Sequence, residues 1–260
     1  MSQDLLILTP HSSGAVPASV LHAMLGDRLW NTAEREALLR RLFLDGDPYT
    51  DLIFLVPGAR TLNAPWSRFV VDLNRERDDR SDNGVVKRGG FDRQPLYPEA
   101  AQPDHQEMEA RLRRYWDTFE RQVTAELPGA RLMIVGHCMA AFGPKLGPDE
   151  GRPRPALTLM VGEPDQPTFP PSLVPALQQA AQQAFADVLA GAAVQEVAVG
   201  VPWASDTLSL QHSRRSGVPA FGLEVNAGLY LNAQGEPDDA ALQGLNAAFR
   251  QFAQAALQLL

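Results

Sequence analysis

Short, wholly apolar runs alternate along this chain with longer stretches in which apolar residues recur at helical spacing. Residues 5–9 form a compact apolar run stopped by Pro10 and followed by His11-Ser12-Ser13-Gly14, as expected where a buried strand enters a loop. Residues 18–30 and 33–43 are predicted helices, with Thr32, Glu34 and Glu36 marking the start of the second. After a turn at 45–51, residues 52–56 fit helix and strand equally, and residues 69–73 are a predicted second buried strand. Residues 76–103 are charged, carry glycine and proline and show no period. They predict a long loop, a type of segment that is often functional. Residues 107–127 place Met108, Leu112, Tyr115, Phe119 and Val123 on one helical face. Further strands are predicted at 131–135, 156–161, 194–201 and 220–225. A helix is predicted at 173–189, and a last one carries Leu242, Leu245, Phe249, Phe252 and Ala256 on one side.

Strands alternating with helices imply a parallel sheet covered on both faces. The expectation is an α/β fold, a three-layer α/β/α arrangement with a central mixed, mainly parallel sheet, in one domain over residues 1–260. Ligands of such sheets sit at the carboxyl ends of the strands.

Composition narrows the partners. With 45% hydrophobic and 21% charged residues over 260 positions, the chain can build a sizeable core. A formal charge of −8 argues against binding nucleic acid by bulk electrostatics. The single cysteine, Cys138, excludes an intramolecular disulfide and a cysteine-based metal site. No stretch approaches the roughly 20 apolar residues of a membrane span. The apolar run near the start is too short for a signal peptide, so a soluble cytoplasmic protein is expected.

The ends of the apolar runs carry the chemistry. One run ends at His11, one at Asn74-Arg75, one at Gly136-His137, and one bears Glu224 near its end. Taken singly, each has an ordinary reading as a loop histidine, an edge-strand glutamate or a surface arginine. Brought together in one crevice, two imidazoles, a carboxylate and guanidiniums fit a zinc hydrolase. The chain has no His-Glu-x-x-His, no Gly-x-Ser-x-Gly, no P-loop and no dinucleotide glycine motif.

Four segments in order, TPHSSGAVP, SRFVVDLNR with the later LYP, IVGHCM and FGLEVNAGLYL, resemble the N-formylglutamate amidohydrolases, a family akin to the carboxypeptidase and aspartoacylase zinc hydrolases. The resemblance implies one zinc ion held by His11 and His137, with Glu224 as general base and Arg68 as oxyanion stabiliser. It also implies Asn74 and Arg75 as the grip on a substrate carboxylate. Asp51 is the favoured third ligand, with Asp47, Glu34 and Glu36 as rivals, because the position three after His11 is Gly14. The chain departs from the family pattern at Val135, where an aspartate is expected, and at Tyr115-Trp116, where the family has Tyr-His. It also departs before Glu224, where a Gly-Gly stretch is replaced by a segment offering His212 and Arg214 as further substrate-binding residues. The activity implied is cleavage of N-formyl-L-glutamate or another small acidic N-acyl amino acid, with neither nucleic acid nor membrane as partner. A carboxypeptidase-like or cell-wall peptide amidase, or a non-catalytic binding protein on the same fold, are the alternatives.

Overall fold

The computed structural model describes residues 2–260. Its strands are β1 (Leu5–Thr9), β2 (Arg60–Asn63), β3 (Leu132–Met139), β4 (Leu157–Met160), β5 (Gly162–Glu163), β6 (Gln166–Pro167), β7 (Val197–Val199) and β8 (Ala220–Asn226). Six of them form one sheet in the order β2-β1-β3-β8-β4-β7, and β5 and β6 form a separate small hairpin. The β1–β2, β1–β3, β3–β8 and β4–β7 pairs are parallel, whereas β4 runs antiparallel to β8. This is the mixed, mainly parallel sheet expected from the sequence.

The helices are α1 (Ala18–Leu25), α2 (Thr32–Leu44), α3 (Thr50–Ile53), α4 (His105–Arg111), α5 (Asp117–Glu126), α6 (Val174–Ala184), α7 (Ala186–Ala190), α8 (Thr207–Ser216) and α9 (Asp239–Gln258). The side-chain alternation of the strands explains the layers. Leu5, Ile7, Leu132, Ile134, Phe221, Leu223 and Val225 pack to one side, with Leu177 of α6 and Phe249 and Phe252 of α9. Leu6, Leu8, Met133, Val135 and Ala220 face the other way, toward Phe119 and Val123 of α5 and Leu208 of α8. A third apolar cluster, including Val20, Met24, Leu42, Phe69, Val70, Leu96 and Tyr97, joins α1 and α2 to the long loop.

Three elements differ from the sequence reading. Residues 69–73 form turns, not a strand: the Val70 amide donates to the Ser67 carbonyl at 2.9 Å and the Asp72 amide to that of Val85 at 2.7 Å. Their apolar character reflects packing into two clusters, with Phe69 and Val70 in one and Val71 and Leu73 in another. The strand beside β1 is instead β2, only partly buried and too polar to stand out by pattern. Helix α8, started by the Asp206 side chain accepting from the Ser209 amide, was not anticipated. Of residues 52–56, Leu52 and Ile53 end the short α3, and 54–56 leave it as turn and loop. The helix expected over 107–127 runs from His105 to Glu126 with a π turn at Leu112–Trp116, which brings Trp116 to the buried side.

Candidate active site

Strands β1 and β3 are neighbours, while β2 lies on the opposite side of β1, so the connection order reverses between them. That reversal opens a crevice at the carboxyl ends of the strands. His11, just past β1, and His137, inside β3, occupy it, with ring centroids 5.1 Å apart. His137 is in register with Glu224 of β8, so the two side chains leave the same face of the sheet. The intervening Gly136 faces the other side, where a Cβ would lie 2.4 Å from the Phe54 ring.

The carboxylate that joins the histidines is Asp47. Its Oδ2 lies 3.0 Å from Nδ1 of His11 and 2.9 Å from Nδ1 of His137, and all three residues are buried. The Asp47 amide donates to the His11 carbonyl, and Tyr49, at a φ of 64°, turns the chain into α3. Asp51, the favoured candidate from the sequence, sits half-buried within α3 and is off the cavity wall. Glu34 and Glu36 lie on α2, also away from the wall. Asp47 therefore replaces Asp51 as the carboxylate at the two imidazoles. Among the described residues, His11, Asp47 and His137 are the one group of three His, Cys, Asp or Glu residues whose ligand atoms converge, within 4.8 Å of one another.

A second carboxylate, unassigned by the sequence reading, stands behind them. Asp72 is fully buried. Its Oδ1 lies 2.8 Å from Nε2 of His11 and accepts from the Asn74 amide at 3.0 Å; its Oδ2 accepts from Nη2 of Arg68 at 2.9 Å. A carboxylate on Nε2 favours the tautomer that leaves Nδ1 free as a ligand. The only earlier signal was Asp72's place within SRFVVDLNR. At His137, two positions after Val135, the polar neighbours are Asp47 and Asn74.

Arg68 also reaches Oδ1 of Asp47, at 3.4 Å, and lines the cavity. Asn74 accepts from the Leu208 amide at 3.1 Å, which directs its Nδ2 to within 3.4 Å of Nε2 of His137. Arg75 lines the cavity, held by Nε donating to the Asn83 carbonyl, while the Trp116 indole donates to the Arg75 carbonyl. The other two substrate-binding candidates lie elsewhere. His212 is buried on α8 with Nε2 3.1 Å from Glu120 of α5, and Arg214 is exposed near Gln166; neither lines the cavity. Helix α8 turns that face toward α5 and the hairpin. Missing from the sequence reading is Arg154, buried before β4, bidentate to Asp149, with its guanidinium 4.6 Å from the Trp203 ring centroid.

The electrostatics divide the carboxylates. Burial alone would raise Asp47, but the His11 and His137 imidazoles and Arg68 outweigh it and hold the group below the usual carboxylate range. Burial would likewise raise Asp72, and Arg68, Lys87 and His11 hold it well below that range. Glu224 goes the other way: burial lifts it to about 7, against the pull of His137, Arg68 and Arg154. Its Oε2 has no hydrogen-bond partner among the described residues. Two carboxylates are thus kept ionised and one is poised near neutrality.

The N-formylglutamate amidohydrolase family profile matches residues 3–231. The chain belongs to the N-formylglutamate amidohydrolase family. An N-formylglutamate deformylase of Pseudomonas aeruginosa is 39% identical over 100 residues, covering 34% of this chain and 38% of that enzyme. The match therefore spans well under half the length of that relative. The crystal structure of an N-formylglutamate amidohydrolase from Ralstonia eutropha JMP134 superposes with a TM-score of 0.72 at 20% identity, covering 98% of this chain and 92% of the other. A gene product of Agrobacterium tumefaciens gives 0.58 at 15% identity, covering 98% and 90%. Both share the fold.

Proposed function

We propose that this member of the N-formylglutamate amidohydrolase family is a zinc-dependent amidohydrolase. It cleaves the amide of N-formyl-L-glutamate or a related acidic N-acyl amino acid to the free amino acid and formate or another carboxylate. The observation that carries the reading is one Asp47 oxygen shared by two imidazole nitrogens, with Glu224 on the strand position beside His137. Two imidazoles and a carboxylate are a donor set that suits zinc. The Asp72 contact to His11 is the outer support such sets use. His11, Asp47 and His137 would hold the ion, which supplies Lewis acidity to the scissile carbonyl and to the attacking water.

The remaining work falls to the chain's own side chains. Glu224, poised near neutrality in a buried setting, takes a proton from the water and delivers it to the departing nitrogen. Arg68 faces the cavity with its position fixed by Asp72 and Asp47, so its donors are set in advance for the developing oxyanion. Arg75 offers a guanidinium to the substrate carboxylate, while Asn74 steadies His137.

The cavity, of about 560 Å³, is also lined by Phe91, Leu146, Met160 and Trp203. That volume and those apolar walls favour an acyl group larger than formyl as a second reading. Zinc content after purification without chelators, with hydrolysis rates for a panel of N-formyl and longer N-acyl derivatives of glutamate and aspartate, tests both readings. A zinc-loaded protein that cleaves none of them rejects the amidohydrolase reading, and activity on peptides alone would mark a peptidase.

A further inference from the structure

We propose that Lys87 is a positioning residue of this site: the buried counter-ion of Asp72, which shares with Arg68 the carboxylate oxygen that fixes the guanidinium at the cavity. The inference rests on the amidohydrolase reading above.

Lys87 is one of two lysines in the chain and is 1% exposed. It forms no part of the cavity wall, so it does not act on substrate directly. Its Nζ donates to Oδ1 of Asn83 at 2.8 Å and to the carbonyls of Asn83 and Gly84 at 3.1 and 3.2 Å, and lies 2.9 Å from Oδ2 of Asp72. An ammonium has three protons, so these four acceptors saturate it. A buried lysine is disfavoured unless paired, and here burial draws its pKa down to about 8 while Asp72 opposes the fall.

The arrangement has an asymmetry that Lys87 resolves. Asp72 places one oxygen on His11 and the other on Arg68, so it links the ion-holding imidazole to the oxyanion donor. With Arg68 as its only cation, Asp72 would take the whole guanidinium as its counter-charge in a low-dielectric setting. Lys87 shares the same oxygen as Arg68 and divides that demand. Phe91, from the same long loop, lies 5.0 Å from the Arg68 guanidinium carbon and 5.9 Å from Nζ of Lys87, so one ring attends both cations. The Asn83 carbonyl that receives Lys87 also receives Nε of Arg75. The turn at 83–87 therefore holds Arg75 directly and Arg68 through the Asp72 oxygen that Lys87 shares with it.

The test compares wild type, Lys87→Met and Lys87→Arg. It reads kcat and KM on the best N-acyl substrate, zinc affinity by chelator competition, and the thermal midpoint. The expected result for Lys87→Met is a fall in kcat of about 10- to 100-fold, the scale of lost outer support around such centres. KM should stay near wild type, zinc affinity should be equal or tighter, and Lys87→Arg should recover most of kcat. Lys87→Gln replaces Lys87→Met if the latter does not fold. An unchanged kcat in a folded neutral variant overturns the proposal, as does equal loss in Lys87→Arg. A wild type that binds zinc but cleaves nothing fails the functional reading alone. The affinity comparison then decides for Lys87, because zinc binding weakened by removal of a neighbouring cation contradicts a counter-ion role.

Discussion

Asp47 and Asp51 are four positions apart in one turn, and only their backbone settings separate them. The first is fixed beside His11 by an amide–carbonyl bond, while the left-handed Tyr49 diverts the chain before the second. Asp47→Asn should abolish zinc retention and Asp51→Asn should leave it intact, measured as bound zinc after dialysis. Retention by both variants would remove Asp47 from the ion site. His11, His137 and Glu224 were legible because strand ends are visible in sequence as apolar runs with polar tips. Asp47 stood only as a rival of Asp51, and Asp72 went unassigned, because loop bonds and turns place them. Glu224→Gln should fold normally and lower turnover about 100-fold or more, the scale of a lost general base. The same substitution checks the titration. Burial lifts Glu224 from 4.5 to about 7, so the folded state holds its proton more tightly than the unfolded chain. That contribution to stability is complete below 4.5 and lost as pH rises through about 7. Chelator-treated wild type should therefore lose stability relative to Glu224→Gln across this window, followed by urea midpoints at successive pH values; parallel curves would assign the titration elsewhere.

At the scale of elements, β3 is the part on which the site depends most. Its neighbours on both sides, β1 and β8, carry or lead into the other two polar groups. Gly136→Ala puts a Cβ 2.4 Å from the Phe54 ring, one position before His137. It should cost about 1–3 kcal/mol by overpacking and weaken zinc binding as β3 shifts. A denaturation curve matching wild type would show that Phe54 yields freely. The central strands were readable as apolar runs buried on both faces, and the long amphipathic helices because their burial follows a period near 3.6. The segment at 69–73 was misread because its side chains enter two different clusters from a turn, which mimics a short strand buried on both faces. Helix α8 escaped because its pattern is polar and short, with Leu208, Ser209 and His212 as its buried residues.

For the whole molecule, the order of strands decides where the candidate ion ligands meet. Residues 11, 47, 72, 137 and 224 come from five separate stretches and meet only when the sheet is assembled around β1 and β3. An ion bound there stabilises the folded chain by mass action, by about 2.7 kcal/mol at a hundredfold excess over its Kd. Chelation should lower the thermal midpoint and added zinc should restore it, in scanning calorimetry. A midpoint indifferent to zinc would mean that these groups hold no ion in the folded protein. The fold class was legible in full because layer architecture follows from alternation alone.

The antiparallel entry of β4 has a consequence for divergence. Because β4 runs against β8, the segment at 140–155 arrives at the mouth of the crevice before the chain descends into the sheet, bringing Leu146 and Arg154 to the cavity wall. The converging imidazoles and carboxylates and the walls at 140–155 thereby lie on separate stretches of chain. On the proposed function, sequence drift in that approach would retune which acids are accepted while the imidazoles, Glu224 and the packed layers stay as they are.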